Sequence, residues 1–226
     1  MAVNTPVTFL AKLESDYAAM RMVQVAHDAT DYRCIGSGNC CRIGLRIPLA
    51  ECANIAVQLR RQHLLLAERE GKAKADSWFN DICARLVQRM ADESWQTNGE
   101  TKEHCAFLGN GCEIYEYRPM VCRAYGTIMP VANSCPRQRQ PDGTDYVMHD
   151  GHIEDLIYDH EKTVKQFVSV NKDTDYSVYM PLGVLKYLMS DSEMRKLYEA
   201  TDARFWTGLP GYPHRFRPES WIDDSE

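Results

Sequence analysis

The residues of this chain best equipped for chemistry are its nine cysteines: Cys34, Cys40, Cys41, Cys52, Cys83, Cys105, Cys112, Cys122 and Cys135. Their placement is uneven, and none follows Cys135. Two groups stand out. The first is Cys34-Ile-Gly-Ser-Gly-Asn-Cys40-Cys41, and the second is Cys105, Cys112 and Cys122, with Cys135 further on. Thiolates are soft ligands that select zinc, Cu(I) and iron–sulfur clusters over hard cations. Four complete a zinc site, and iron–sulfur clusters commonly take four as well. Seven clustered cysteines exceed that demand, so either some are bystanders or the site holds more than one metal.

The setting favours metal over disulfides. No basic stretch followed by an apolar stretch opens the sequence, and no apolar run approaches the length of a membrane helix. The expectation is therefore a cytoplasmic protein with no membrane partner, in a compartment that keeps thiols reduced. An odd cysteine count weakens a purely disulfide framework further. Acidic residues outnumber basic ones, 32 to 26, for a formal charge of −6. That balance argues against a broad nucleic-acid-binding surface.

The elements that must position these thiols read as mainly α: a small helical bundle with irregular cysteine-rich loops forming a metal site. Residues 1–226 are expected to form one domain. The stripe Phe79, Ile82, Cys83, Leu86, Val87 and Met90 has helical spacing, as does a sparser one of Cys52, Ile55, Leu59 and Leu66 on a helix over 49–70. A helix over 7–26 is expected, another from Ile153 to about residue 171, and a third with Pro181 in its first turn. Ser190 and Glu193 read as a capping box opening a last helix, within a helical C-terminal part over 150–206. Strand signals are few, the best at 146–149. Residues 32–48 and 102–141, rich in Gly, Pro, Asn and Cys, lack such periodicity; they are the cysteine-cluster loops, where thiols can converge. Cys83 and Cys52 sit on apolar stripes and read as core, since a free cysteine behaves as a small hydrophobe.

The cysteine pattern resembles the YkgJ-type cysteine-cluster family, known as a zinc- or iron-chelating domain. That family opens with C-x2-C-x2-C-C; here it is Cys34-x2-Ser37-x2-Cys40-Cys41, with serine at the second position, and a hydroxyl is a poor ligand for a soft metal. The downstream half resembles the stretch from Cys105 through Arg123, most specifically Tyr115, Arg118, Pro119 and Cys122. The resemblance covers about 32–135. It implies that Cys34, Cys40, Cys41, Cys105, Cys112, Cys122 and Cys135 are ligand positions for an iron–sulfur cluster, the preferred cofactor, or for zinc. A redox or catalytic iron centre is one implication. Flagellin lysine methylases resemble the family in this region, which brings in methyl transfer, although no glycine-rich loop signals S-adenosylmethionine.

Other constellations carry less. His149 and His152, beside Asp150 and Glu154, have a spacing compatible with non-haem iron but read as loop and helix-start residues. His104, beside Cys105, could complete a Cys3His site. Arg33, Arg42, Arg118, Arg123 and Arg137 lie next to candidate ligands, where cations stabilise thiolates. No nucleophile elbow, phosphate loop or dinucleotide fingerprint is present, and no catalytic residue is assigned. The tail 207–226 interleaves Pro210, Pro213 and Pro218 with Tyr212, Phe216 and Trp221. Such a tail either wraps its own core or docks on a protein partner, and the second case describes an adaptor with a structural zinc.

Overall fold

A computed structural model describes residues 6–26, 39–42, 44–91, 104–109, 111–124, 151–171, 177–190 and 192. They are mainly helical, as the periodicity requires. In chain order they form α1 (Pro6–Ala26), a 3-10 turn (Asn39–Arg42), β1 (Arg46–Pro48), α2 (Leu49–Glu70) and α3 (Lys72–Ala91). Then come β2 (Leu108–Gly109), β3 (Gly111–Cys112), a second 3-10 turn (Tyr115–Tyr117), α4 (Met120–Ala124), α5 (Gly151–Asn171), β4 (Ser177–Tyr179) and α6 (Met180–Leu188). They gather into two compact units, each described by itself.

The unit made of 43–106 and 173–226 is built on α2, α3 and α6, which pack against one another. Of the expected stripe on α2, Cys52, Ile55 and Leu59 are fully buried, while Leu66 is half-buried. On α3 the buried positions are Ile82, Leu86 and Met90, while Cys83 is only half-buried and lies at the edge of that core. Gly71 joins the two helices at φ +92°, a left-handed conformation that glycine adopts without a Cβ clash, and its N–H closes the end of α2 on Ala67 O at 3.0 Å. Pro181 stands in the first turn of α6, where its missing N–H costs nothing. Arg60 of α2 reaches the other end of α6, donating to the carbonyls of Tyr187 and Leu188, both at 3.1 Å. β1 and β4 pair antiparallel, with Ile47 opposite Val178. The pairing holds the entries to α2 and α6 side by side.

In the unit made of 1–42 and 107–172, α1 packs on α5. Phe9, Leu13, Tyr17 and Met20 form the buried stripe of α1, spaced three and four apart as a single face demands. Polar groups are sealed into the same face. Asp16 lies against His160 of α5, with Asp16 Oδ2 3.5 Å from His160 Nδ1, and accepts from Lys12. Burial raises the Asp16 carboxyl, but hydrogen bonds from His160, Lys12 and Thr163 outweigh it and leave it below the usual carboxylate range.

The expected strand at 146–149, the helix after Ser190 with its capping partner Glu193, and the tail 207–226 lie outside the described residues. No helix among the described residues is long and apolar enough to cross a membrane.

Candidate metal centre

Five of the seven candidate ligands fall within the described residues. Cys41, Cys105, Cys112 and Cys122 are half-buried, and Cys40 is placed by its backbone alone in the first 3-10 turn. Cys34 and Cys135 lie outside. None of the four placed side chains sits in the interior of a long helix. Cys41 lies in a single 3-10 turn of four residues, Cys112 ends a two-residue strand, and Cys122 is in a helix of five residues. Among the described residues, no group of three or more His, Cys, Asp or Glu side chains is placed to hold a metal ion.

The local chain course follows from the sequence. β2 and β3 form a tight hairpin in which Leu108 pairs with Cys112 and Gly109 with Gly111. Gly111 takes φ +130°, open to glycine and strained for an L side chain. The N–H of Glu113 then donates to Phe107 O at 2.9 Å, drawing the chain past the hairpin. The second 3-10 turn closes through Tyr117 N–H to Ile114 O at 3.0 Å. Arg118, ahead of Pro119, is extended at φ −61°, ψ 150°, as the proline ring requires of its predecessor. Pro119 O accepts from Arg123 N–H at 3.1 Å, which starts the short α4 that carries Cys122.

Arginine holds this course. Arg123 is buried, with 5% exposure. Its Nε donates to Arg118 O at 3.0 Å and its Nη2 to Glu116 O. The guanidinium carbon stands 4.6 Å over the ring of Tyr17 on α1. Hydrogen bonds from a charged donor contribute roughly 1.5–3 kcal/mol each, so this side chain ties the segment more strongly than the turn's own bond. Arg118 stacks over Tyr115 at 3.9 Å. The sequence reading gave these arginines a supporting charge role; the structure gives Arg123 and Arg118 a backbone and ring-stacking role. Arg42 is exposed, and Arg33 and Arg137 lie outside the described residues.

Within the other unit, Cys105 is held in a comparable way. Arg89 Nε of α3 donates to His104 O, and Arg85 Nη1 donates to Ala106 O, so the carbonyls on both sides of Cys105 are gripped. These two arginines were missed by sequence reasoning. Their spacing of four on a helix whose core face is Ile82 and Leu86 was the available signal. His104 is half-buried beside them. His152 belongs to α5 and His149 lies outside the described residues.

Tyr117 adds an observation that sequence could not give. It is buried, with 9% exposure, and its hydroxyl has no hydrogen-bond partner among the described residues. Burial, then the negative charge that Cys112 and Glu113 carry when ionised, push the phenol well above its ordinary range, so it stays a donor. A buried donor beside a cysteine suits a sulfur that carries negative charge, and metal-bound thiolates are such acceptors. With the soft donor set, this hydroxyl fits a thiophilic metal.

The CxxCxxCC family model, "Putative zinc- or iron-chelating domain", matches residues 33–140. That stretch, just under half of the chain, is similar to the family. The match spans all nine cysteines, with Cys52 and Cys83 lying between the two cysteine groups, on α2 and α3. The matched stretch of this chain thus includes long regular helices as well as the cysteine groups. No curated protein and no solved structure matches the chain.

Proposed function

We propose that the matched stretch of this chain holds an iron–sulfur cluster through thiolates drawn from Cys34, Cys40, Cys41, Cys105, Cys112, Cys122 and Cys135. The observation that carries the reading is the contrast in cysteine placement. The candidates that are placed stand half-open on short elements, while Cys52 is sealed in a helix core. Zinc or iron chelation is the family's description. A cluster and a zinc ion each take about four thiolates, so the surplus of cysteines leaves room for more than one metal. A chain with two helical cores does not need the metal merely to fold, which leaves a redox role open to it. The cytoplasm, with its reduced thiols, is the compartment that suits such a site. When bound, the cluster would supply electron transfer; the chain's part is to present thiolates, with Tyr117 as a hydrogen-bond donor beside Cys112.

Anaerobic purification followed by elemental analysis and a visible spectrum tests this. Brown protein with iron and acid-labile sulfide in stoichiometric amount is the expected result. Colourless protein with one zinc per chain would replace the cluster with zinc. Protein free of both metals would overturn the proposal.

A further inference from the structure

A 3-10 turn of three residues and a helix of five cannot maintain their own shape, because nucleation is unfavourable and few bonds repay it. Yet Cys122 and Cys112 depend on that stretch for their positions. The restraint comes from Arg123. One guanidinium spans two carbonyls of the segment, Glu116 O and Arg118 O, and lies against the face of Tyr17. Tyr17 is itself fixed: it is buried, its ring centroid is 5.9 Å from that of His160, and the neighbouring Asp16 faces the same histidine. A chain of contacts therefore runs from the cysteine segment through Arg123 into the α1–α5 packing. The second tie between α1 and the segment, Arg21 to Glu116 at 3.1 Å, is exposed on both sides and contributes little.

We infer that Arg123 is a positioning residue for the metal centre, holding the Cys112–Cys122 segment in its ligating course by gripping two of its carbonyls while stacked on Tyr17. The inference rests on the proposed role of those cysteines as ligands. It separates clamp from charge: lysine keeps the positive charge but cannot offer a planar fork to two carbonyls or stack as guanidinium does. Arg123→Lys must therefore fail where a purely electrostatic role would let it succeed.

The test uses the full chain and zinc as the probe, by competition with a chelator, alongside far-UV circular dichroism. A second readout is the rate of iodoacetamide labelling of each cysteine in metal-free protein, followed by mass spectrometry. Arg123→Lys is expected to weaken zinc binding about tenfold, the scale of lost outer-shell support, with helix content and saturating stoichiometry unchanged. Labelling of Cys112 and Cys122 should quicken, with Cys83 unaffected. Arg21→Ala should match wild type in every readout. Wild-type zinc affinity in Arg123→Lys, or unchanged labelling of Cys112 and Cys122, would overturn the inference, as would loss of zinc only in step with loss of helix. Full zinc retention by Cys122→Ser would instead sink the ligand reading, and the labelling comparison would still decide the clamp.

Discussion

Cys52 and Cys122 are the same side chain in two kinds of surroundings. Cys52 sits near the start of a helix of 22 residues, fully buried, with its sulfur against Gly183 of α6. Burial, and after it the Glu51 charge, push its thiol well above the ordinary range, so it stays protonated. Cys122 stands half-buried on a helix of five residues whose course is set by an arginine on backbone carbonyls. A metal ligand must be a reachable thiolate. Regular packing makes sulfur inert, and clamped irregular backbone keeps it available.

That contrast can be broken most directly at the proposed ligands. Cys122→Ser or Cys112→Ser should lower metal affinity by roughly 100-fold or more, beyond the loss of an outer-shell partner, as read by metal content after purification. Wild-type content in both would erase the distinction. On the sealed side the effect is on stability. Gly183→Ala would drive its Cβ into Cys52 Sγ and within 2.5 Å of Val178 Cγ2. Overpacking of this kind costs about 1–3 kcal/mol, so the denaturation midpoint should fall while metal per folded chain is unchanged.

Smaller effects sharpen the same contrast. Asn54 on α2 is fully buried, and neither end of its amide has a hydrogen-bond partner among the described residues. Replacing it with leucine should stabilise the fold by about 1 kcal/mol, since an unmatched polar group in a core costs that much or more. Urea unfolding would show the gain. Cys83→Ala, at the edge of the core, should leave metal content intact and change stability by less than about 1 kcal/mol.

Acid sensitivity probes the α1–α5 packing. The Asp16 carboxyl is lowered in the fold, so it contributes stability above the ordinary carboxylate pKa, and that contribution is lost as pH falls through its lower folded value. Asp16→Asn should flatten the loss of stability between about pH 5 and pH 2. An unchanged acid limb would show that the His160 and Lys12 contacts carry no such weight.

The helices were legible because they announce themselves over many residues. The 49–70 helix was legible in its apolar stripe, and α6 in Pro181 and its leucines. The strand pairs were not legible, since two or three residues are too few to show alternation, and β1 meets β4 across more than 120 residues of chain. The cysteine groups could be read from spacing alone. What holds them could not. Arg123 finds its carbonyls only after Pro119 has turned the chain, and Arg85 and Arg89 reach across to segment 104–106. An arginine beside a cysteine looks like a counter-charge until its fork has partners.

The claim that a bound ion engages this particular set of sulfurs is tested most directly by labelling every cysteine with and without zinc and locating the adducts by mass spectrometry. Protection by metal at Cys112 and Cys122, together with others of the seven, is the predicted pattern. Cys83 should react alike in both states, and Cys52 in neither. Equal labelling of Cys112 and Cys122 whether or not metal is present would contradict the account.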